Sequence, residues 1–357
     1  MSLRSVIKPI LLDSRRPTFH ANCILLEAQV EQERFGAKWV SIDCIRSLNI
    51  TWSKTILWKE LGFEVLVATT IAPRQFPSKH HENFGWGTRA NKYMKSQLQK
   101  CIRRSLVCKA IKTTYEFLIM DPVNCLRRLT IIAVEDALPL TGYTTLLWYM
   151  CAVGKGYMLQ TVDVAWILAY VYDLCKCSHY EQFDYGLAEK QMKVSSKSLR
   201  LSSLENQEER NLCYSLAFRK AHGGMEGDMK MLQTACLVWA TRYRTKSQDL
   251  IAALQRTSQE KFITFPAESF GRHDLLHQAI DFHCDKTIVS ELQCKHDQFS
   301  CEEITNAIWH HSSCFTDKRL LCEEDYGQRN GNDSTQVVWK SIEKDFVNAT
   351  LRRIAKL

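Results

Sequence analysis

A chain of 357 residues has enough length for one large core or two moderate ones. With 45% hydrophobic and 24% charged residues but only 14 Gly and 7 Pro, its composition is that of a globular protein and leaves little room for a turn-rich all-β architecture. The net charge of +8 is concentrated in one place, which points to a phosphate-bearing partner rather than to a generally basic surface.

The fold class expected is mainly α-helical, with a small α+β N-terminal lobe. The organisation expected is a lobe over 1–77, a helical core with a basic helix over 78–190, a linker or surface loop over 191–210 and a helical C-terminal lobe over 211–357. The N-terminus lacks the basic start, apolar run and small-residue cleavage pattern of a signal peptide. The fifteen cysteines therefore read as reduced thiols of an intracellular protein, cytoplasmic or nuclear. No membrane partner is expected, because the longest uncharged run, Ala137 to Gly154, holds Pro139, Gly142 and several threonines and suits a buried helix with a broken start.

In the first 75 residues, the β-branched and apolar runs Cys23–Leu26, Trp39–Ile42 and Phe63–Thr69 predict strands, and Glu27–Arg34 is polar and compatible with helix. Ala72-Pro73 and Phe76-Pro77 break the pattern. The following Gly-containing loop carries Phe84 and Trp86, which either pin it to a core or stack on bases.

From Asn91 the spacing is helical. Met94, Leu98, Cys101, Ile102 and Leu106 form one apolar stripe, and a second helix is predicted over Ala110–Met120. Asp121-Pro122 then reads as N-cap and first position of a third helix reaching Glu135-Asp136. Between Phe84 and Tyr115 there is no acidic residue, whereas Arg89, Lys92, Lys95, Lys100, Arg103, Arg104, Lys109 and Lys112 are all basic. With the apolar stripe turned to the core, the other face is expected to meet solvent or the phosphates of DNA or RNA.

The segment Leu98-Gln99-Lys100-Cys101-Ile102-Arg103-Arg104-Ser105, followed by Leu126-Arg127-Arg128-Leu129 and the run to Glu135-Asp136, resembles the helical C-terminal oligomerisation region of the RarA/MgsA family of replication-associated AAA+ ATPases. The resemblance covers about residues 94–180. It implies a helical collar used in DNA replication for self-association, as a homo-oligomer or in a larger complex. It does not carry the ATPase itself, because no G-x-x-x-x-G-K-[ST] loop occurs in the sequence.

Further on, Thr144–Val153 and Val162–Leu174 are apolar on most sides and belong in a core or under a partner. Cys175 and Cys177 with His179 lack the spacing of a structural zinc site. Gln191–Arg210, with five serines, reads as a loop. Met229–Leu254 predicts a helix, with Arg242, Arg244 and Lys246 as a second basic cluster. Six of the eleven histidines lie between His273 and His311. On a helix, His273 and His277 would share a face, and with Cys294, His296 or Cys301 they form a candidate zinc set. Weighed against zinc are a Cys284 or Cys314 nucleophile and a plain core. Val337–Leu357 predicts a closing amphipathic helix.

Two functions follow. One is a non-catalytic nucleic-acid-associated structural or assembly protein. The alternative is a nuclease or other hydrolase with a His/Cys-rich C-terminal site and no diagnostic carboxylate set.

Overall fold

A computed structural model describes residues 23–29, 34–59, 61–71, 90–179, 201, 204, 206–246, 251–255, 266, 270–280, 285–313 and 334–356. Among these residues the protein is mainly α-helical, with eleven α-helices and one four-stranded sheet near the N-terminus. The chain divides into two compact units, each assembled from three stretches. The first unit takes Met1–Phe76, Leu126–Asp163 and Tyr180–Lys261; the second takes Pro77–Cys125, Val164–His179 and Phe262–Leu357. The expected division into consecutive lobes is replaced by this interleaving, since residues 78–190 contribute to both units. The break near residue 77 is the one boundary the two divisions share.

In the first unit the strands are β1 (Cys23–Gln29), β2 (Arg34–Val40), β3 (Trp52–Trp58) and β4 (Phe63–Thr69), in the order β2-β1-β4-β3. Two antiparallel hairpins, β1/β2 and β3/β4, meet along a parallel seam that pairs Cys23–Leu26 with Leu66–Thr69. Within the helix-compatible stretch Glu27–Arg34, Glu27–Gln29 end one strand and Arg34 starts the next, while residues 30–33 lie outside the described residues. Pairing of Gln29 with Arg34 outweighs the polar composition of these strand ends. Strand β3 was not legible either, because it lies at a sheet edge and most of its side chains face solvent, so the apolar alternation is weak.

Helices α4 (Tyr143–Val153) and α6 (Gln207–Ala221) pack on this sheet, and α7 (Glu226–Thr245) packs on α6. Gly142, at φ 102, sits in the left-handed region at the start of α4 and makes the broken start that the sequence implied. All eleven residues of α4 are buried. The outer edge of β2 is answered by helix side chains. Ala37 N donates to Thr145 Oγ1 (2.9 Å), Trp39 N donates to Asn211 Oδ1 (2.9 Å), and Trp39 Nε1 donates to Ser215 Oγ (3.0 Å). This satisfies an edge that would otherwise recruit another strand. Below α4, buried Asp163 accepts from Tyr149 Oη (2.9 Å), Tyr157 Oη (3.0 Å) and Gln160 N (2.8 Å).

Helix α3 (Pro122–Glu135) leads from the second unit into the first, and α5 (Thr161–Lys176) leads back. In the second unit, α1 (Ala90–Arg103) and α2 (Val107–Met120) form a hairpin, since Asn91 at the start of α1 donates to Asp121 beyond the end of α2 (2.8 Å). Asp121 also accepts from Asn124 N (2.9 Å), the N-cap role expected ahead of Pro122. Four further helices are α8 (His277–Ile280), α9 (Lys286–Lys295), α10 (Cys301–Ile308) and α11 (Ser334–Lys356). The last three enclose a core of Ile288, Leu292, Ile304, Ile308, Ile342 and Phe346. The closing helix is thus present and docked.

The expected loop over 191–210 has its serines 195, 196, 198, 202 and 203 outside the described residues, but its end is not a loop. Asn206 caps α6 by accepting from Glu208 N (2.8 Å), and Gln207–Arg210 already belong to the helix. No described helix is long and apolar enough to cross a membrane.

Candidate nucleic-acid interface

The basic residues of α1 and α2 do not form one solvent-facing stripe. Met94, Leu98, Cys101 and Ile102 are buried as the periodicity required, but Lys100 and Arg103 are also only 4% exposed. Lys100 Nζ donates to the carbonyl of Gln278, and Gln97 beside it clamps the same stretch. Gln97 Nε2 donates to Asp274 O (2.8 Å) and Gln97 Oε1 accepts from Leu276 N (2.8 Å). Lys112 reaches the buried carboxylate of Asp274 at 3.6 Å. Arg104, half-buried, donates to Ser312 O (3.4 Å), and Lys95 donates to Asn124 Oδ1 (2.6 Å). The expectation that this face is open to phosphate is corrected at Lys100 and Arg103. Both are buried and Lys100 puts its ammonium on a backbone carbonyl, a use of basic side chains that charge counting cannot distinguish from a solvated one.

What remains open is Lys92, exposed in the first turn of α1, and the turn between the two helices. Ser105 adopts φ 56, in the left-handed region, and Ser105, Leu106 and Cys108 are exposed, with Arg104 and Lys109 half-buried beside them. The N-cap residue of α2 is Leu106, which offers no side-chain bond to the first turn. With no side-chain cap, the first turn of α2 puts the positive end of its helix dipole beside Lys109, so the turn presents a partial and a full positive charge together. The sequence carried no signal for this turn, since Leu106 continues the apolar stripe in spacing, whereas the helix ends at Arg103 and Leu106 is exposed. The remaining candidates, Phe84, Trp86 and Arg89, lie outside the described residues.

The candidate zinc residues are held apart. His273 belongs to a 3-10 turn, Arg272–Asp274, and is 76% exposed by side chain beside Asp274. Leu275 then takes an extended conformation, and His277 starts the separate helix α8, half-buried with its ring 6.5 Å from that of Phe346. The shared face expected of His273 and His277 needs a continuous helix, and this break removes it. Cys294 is exposed near the end of α9, and His296 Nε2 lies 3.1 Å from Asp345 Oδ2. Cys301 Sγ contacts Gln293 Oε1 (2.7 Å). Among the described residues no three His, Cys, Asp or Glu side chains gather as a metal site requires. Cys284 and Cys314 lie outside them.

Comparison with known protein families, with curated proteins and with solved structures returns no match to this chain.

Proposed function

We propose that the chain is a non-catalytic, nucleic-acid-associated protein that holds backbone phosphate at the turn between α1 and α2. The observation that carries this reading is the uncapped first turn of α2, opened by the left-handed Ser105 and flanked by Lys109 and Arg104. A phosphodiester there would meet helix N–H groups and cations at once, and Lys92 supplies a further contact along α1. The likeness of residues 94–180 to a replication-associated collar supports a setting in DNA transactions.

Among the described residues, several carboxylates are used in structural roles. Asp163 holds two tyrosines, Asp274 holds the 3-10 turn and Lys112, Asp285 pairs with Arg353, and Asp345 pairs with Lys295 and His296. Self-association through the apolar helices is left out of the proposal, since α4 is buried on all sides within the chain itself.

The test is a salt titration of binding to single- and double-stranded DNA and RNA, with wild type beside Lys92→Glu/Lys109→Glu. Binding should weaken steeply with salt, and the double variant should lose affinity with a log–log slope smaller by about 1–2, as each released phosphate contact contributes about 0.7–0.9. An unchanged slope, or no binding near physiological salt, overturns the proposal.

A further inference from the structure

In the first unit a second group of basic side chains converges where α6 ends. Arg219 is 2% exposed. Its Nε donates to Thr130 Oγ1 (2.7 Å), one terminal nitrogen donates to Gly223 O (3.0 Å) and the other to Arg127 O (3.3 Å). Arg127, half-buried on α3, donates to the same Gly223 carbonyl (3.3 Å). His222 lies with Nε2 3.5 Å from Cys151 Sγ, its Nδ1 3.0 Å from Phe218 O, and its ring edge-on to that of Phe218. The Nδ1 hydrogen donates to that carbonyl, which leaves Nε2 to accept from the thiol. Lys155, exposed just beyond α4, is near enough to act electrostatically on both Cys151 and His222, as are the two arginines.

The charges here are not balanced. Arg128, next along α3, faces two carboxylates, Glu135 at 3.6 Å and Asp228 at 3.9 Å. Arg127, Arg219 and Lys155 form no ion pair among the described residues, and Asp228, the carboxylate acting on Arg219, bridges to Arg128 instead. Keeping a guanidinium buried on a hydroxyl and two carbonyls costs several kcal/mol unless a charge answers it. The group also reaches the surface. From buried Arg219, exposure rises through half-buried Arg127, His222 and Gly223 to open Lys155 and Gly224. Gly223 and Gly224, at φ +75 and +159, follow the end of α6 on that side.

We propose that Arg127, Arg219, His222 and Lys155 form a binding site for a phosphate-type oxyanion, with the Arg219 guanidinium at its base and the Lys155 ammonium at its mouth. With Arg219 Nε and one hydrogen of each of its terminal nitrogens bonded to Thr130, Gly223 and Arg127, a tetrahedral dianion would meet the remaining terminal N–H groups of the two arginines and the Lys155 ammonium. The site lies in the other unit from the α1–α2 turn and does not rest on the function proposed there. Its ligand is either free inorganic phosphate or the terminal phosphate of a nucleic-acid strand, which share this chemistry. Cys151 is not a nucleophile in this arrangement, since burial pushes its thiol up to about 12, and it lines the site as a neutral partner of the imidazole.

The experiment is thermal unfolding and calorimetry of the full chain in sodium phosphate against sodium chloride at matched ionic strength, for wild type, Lys155→Gln and Arg127→Gln. Phosphate should raise the wild-type Tm above chloride, and each variant should bind phosphate about tenfold more weakly, the loss expected for one charge-assisted hydrogen bond. Lys155 is exposed, so its variant keeps the fold. A second readout is the His222 ring signal by NMR, whose titration midpoint should rise with phosphate as the dianion offsets the neighbouring cations. A 5′-phosphorylated strand that binds better than its 5′-hydroxyl twin, in a manner lost in Lys155→Gln, identifies the strand end as ligand. Equal binding of the twins, with inorganic phosphate still active, identifies the free ion. No phosphate-specific gain in wild type, or the same gain in both variants, overturns the site.

Discussion

Lys100 donates its ammonium hydrogen to the backbone carbonyl of Gln278, so a charge placed midway along an amphipathic helix acts as a clasp inside the second unit. With Gln97 bonded on both sides of Leu275, it fixes the turn 274–278 against α1. Lys100→Glu should therefore cost about 3 kcal/mol or more, because it removes the clasp and buries an unanswered carboxylate. Lys92→Glu, fully on the surface, should stay within about 0.5 kcal/mol. Urea unfolding of the two variants checks the difference, and equal midpoints would show that Lys100 is not held as described.

His277 gives the second unit a pH dependence. Burial, reinforced by the charges of Arg104 and Lys100, brings its imidazole from 6.5 down to about 4. Between those values the unfolded chain takes up a proton that the folded chain refuses. The contribution is complete above pH 6.5 and is lost as pH falls, by roughly 2–3 kcal/mol at the lower limit. Denaturation at pH 7 and pH 4.5 should show the loss in wild type and little of it in His277→Gln.

Asp163 holds the first unit together in a different way, as one acceptor for Tyr149, Tyr157 and Gln160. Asp163→Ala leaves three buried donors unanswered and should lower stability by about 3 kcal/mol. Asp163→Asn keeps one oxygen and should fall between alanine and wild type. Thermal unfolding followed by tyrosine fluorescence would report both.

Ser105 holds φ 56, a conformation that costs a side-chain-bearing residue about 1 kcal/mol and glycine almost nothing. Ser105→Gly should therefore stabilise the chain by about 0.5–1 kcal/mol, partly offset by the entropy of an added glycine. A drop in stability would mean that the hydroxyl contributes there.

The sequence was most legible where burial repeats with a helical or strand period. Met94, Leu98, Cys101 and Ile102 located α1, Phe63–Thr69 located β4 residue for residue, and Asp121-Pro122 located the start of α3. It was least legible for polar residues that point inward. Nothing local separates Lys100, bonded to a carbonyl 178 positions away, from Lys92, which faces water. Arg219 is hidden in the same way, since its neighbours Leu212–Phe218 are all buried and the partners that make it notable, Thr130 and Gly223, lie partly in distant sequence. The histidine cluster misled for the opposite reason. Crowding along the chain suggested convergence, and the extended Leu275 dispersed it.

The interleaving of the two units has a consequence for synthesis. Neither can be completed early, because one requires chain up to Lys261 and the other up to Leu357. At ribosomal rates of about 5–20 residues per second, the 178 positions between Lys100 and Gln278 take roughly 10–35 s to emerge. For that interval α1 exists without the turn it clasps, with a lysine and a glutamine that have yet to meet their partners. A nascent chain of this kind is a natural client for a holding chaperone. No single cut in the gene separates the two units, so trimming from either end to isolate one keeps pieces of the other stripped of part of its core.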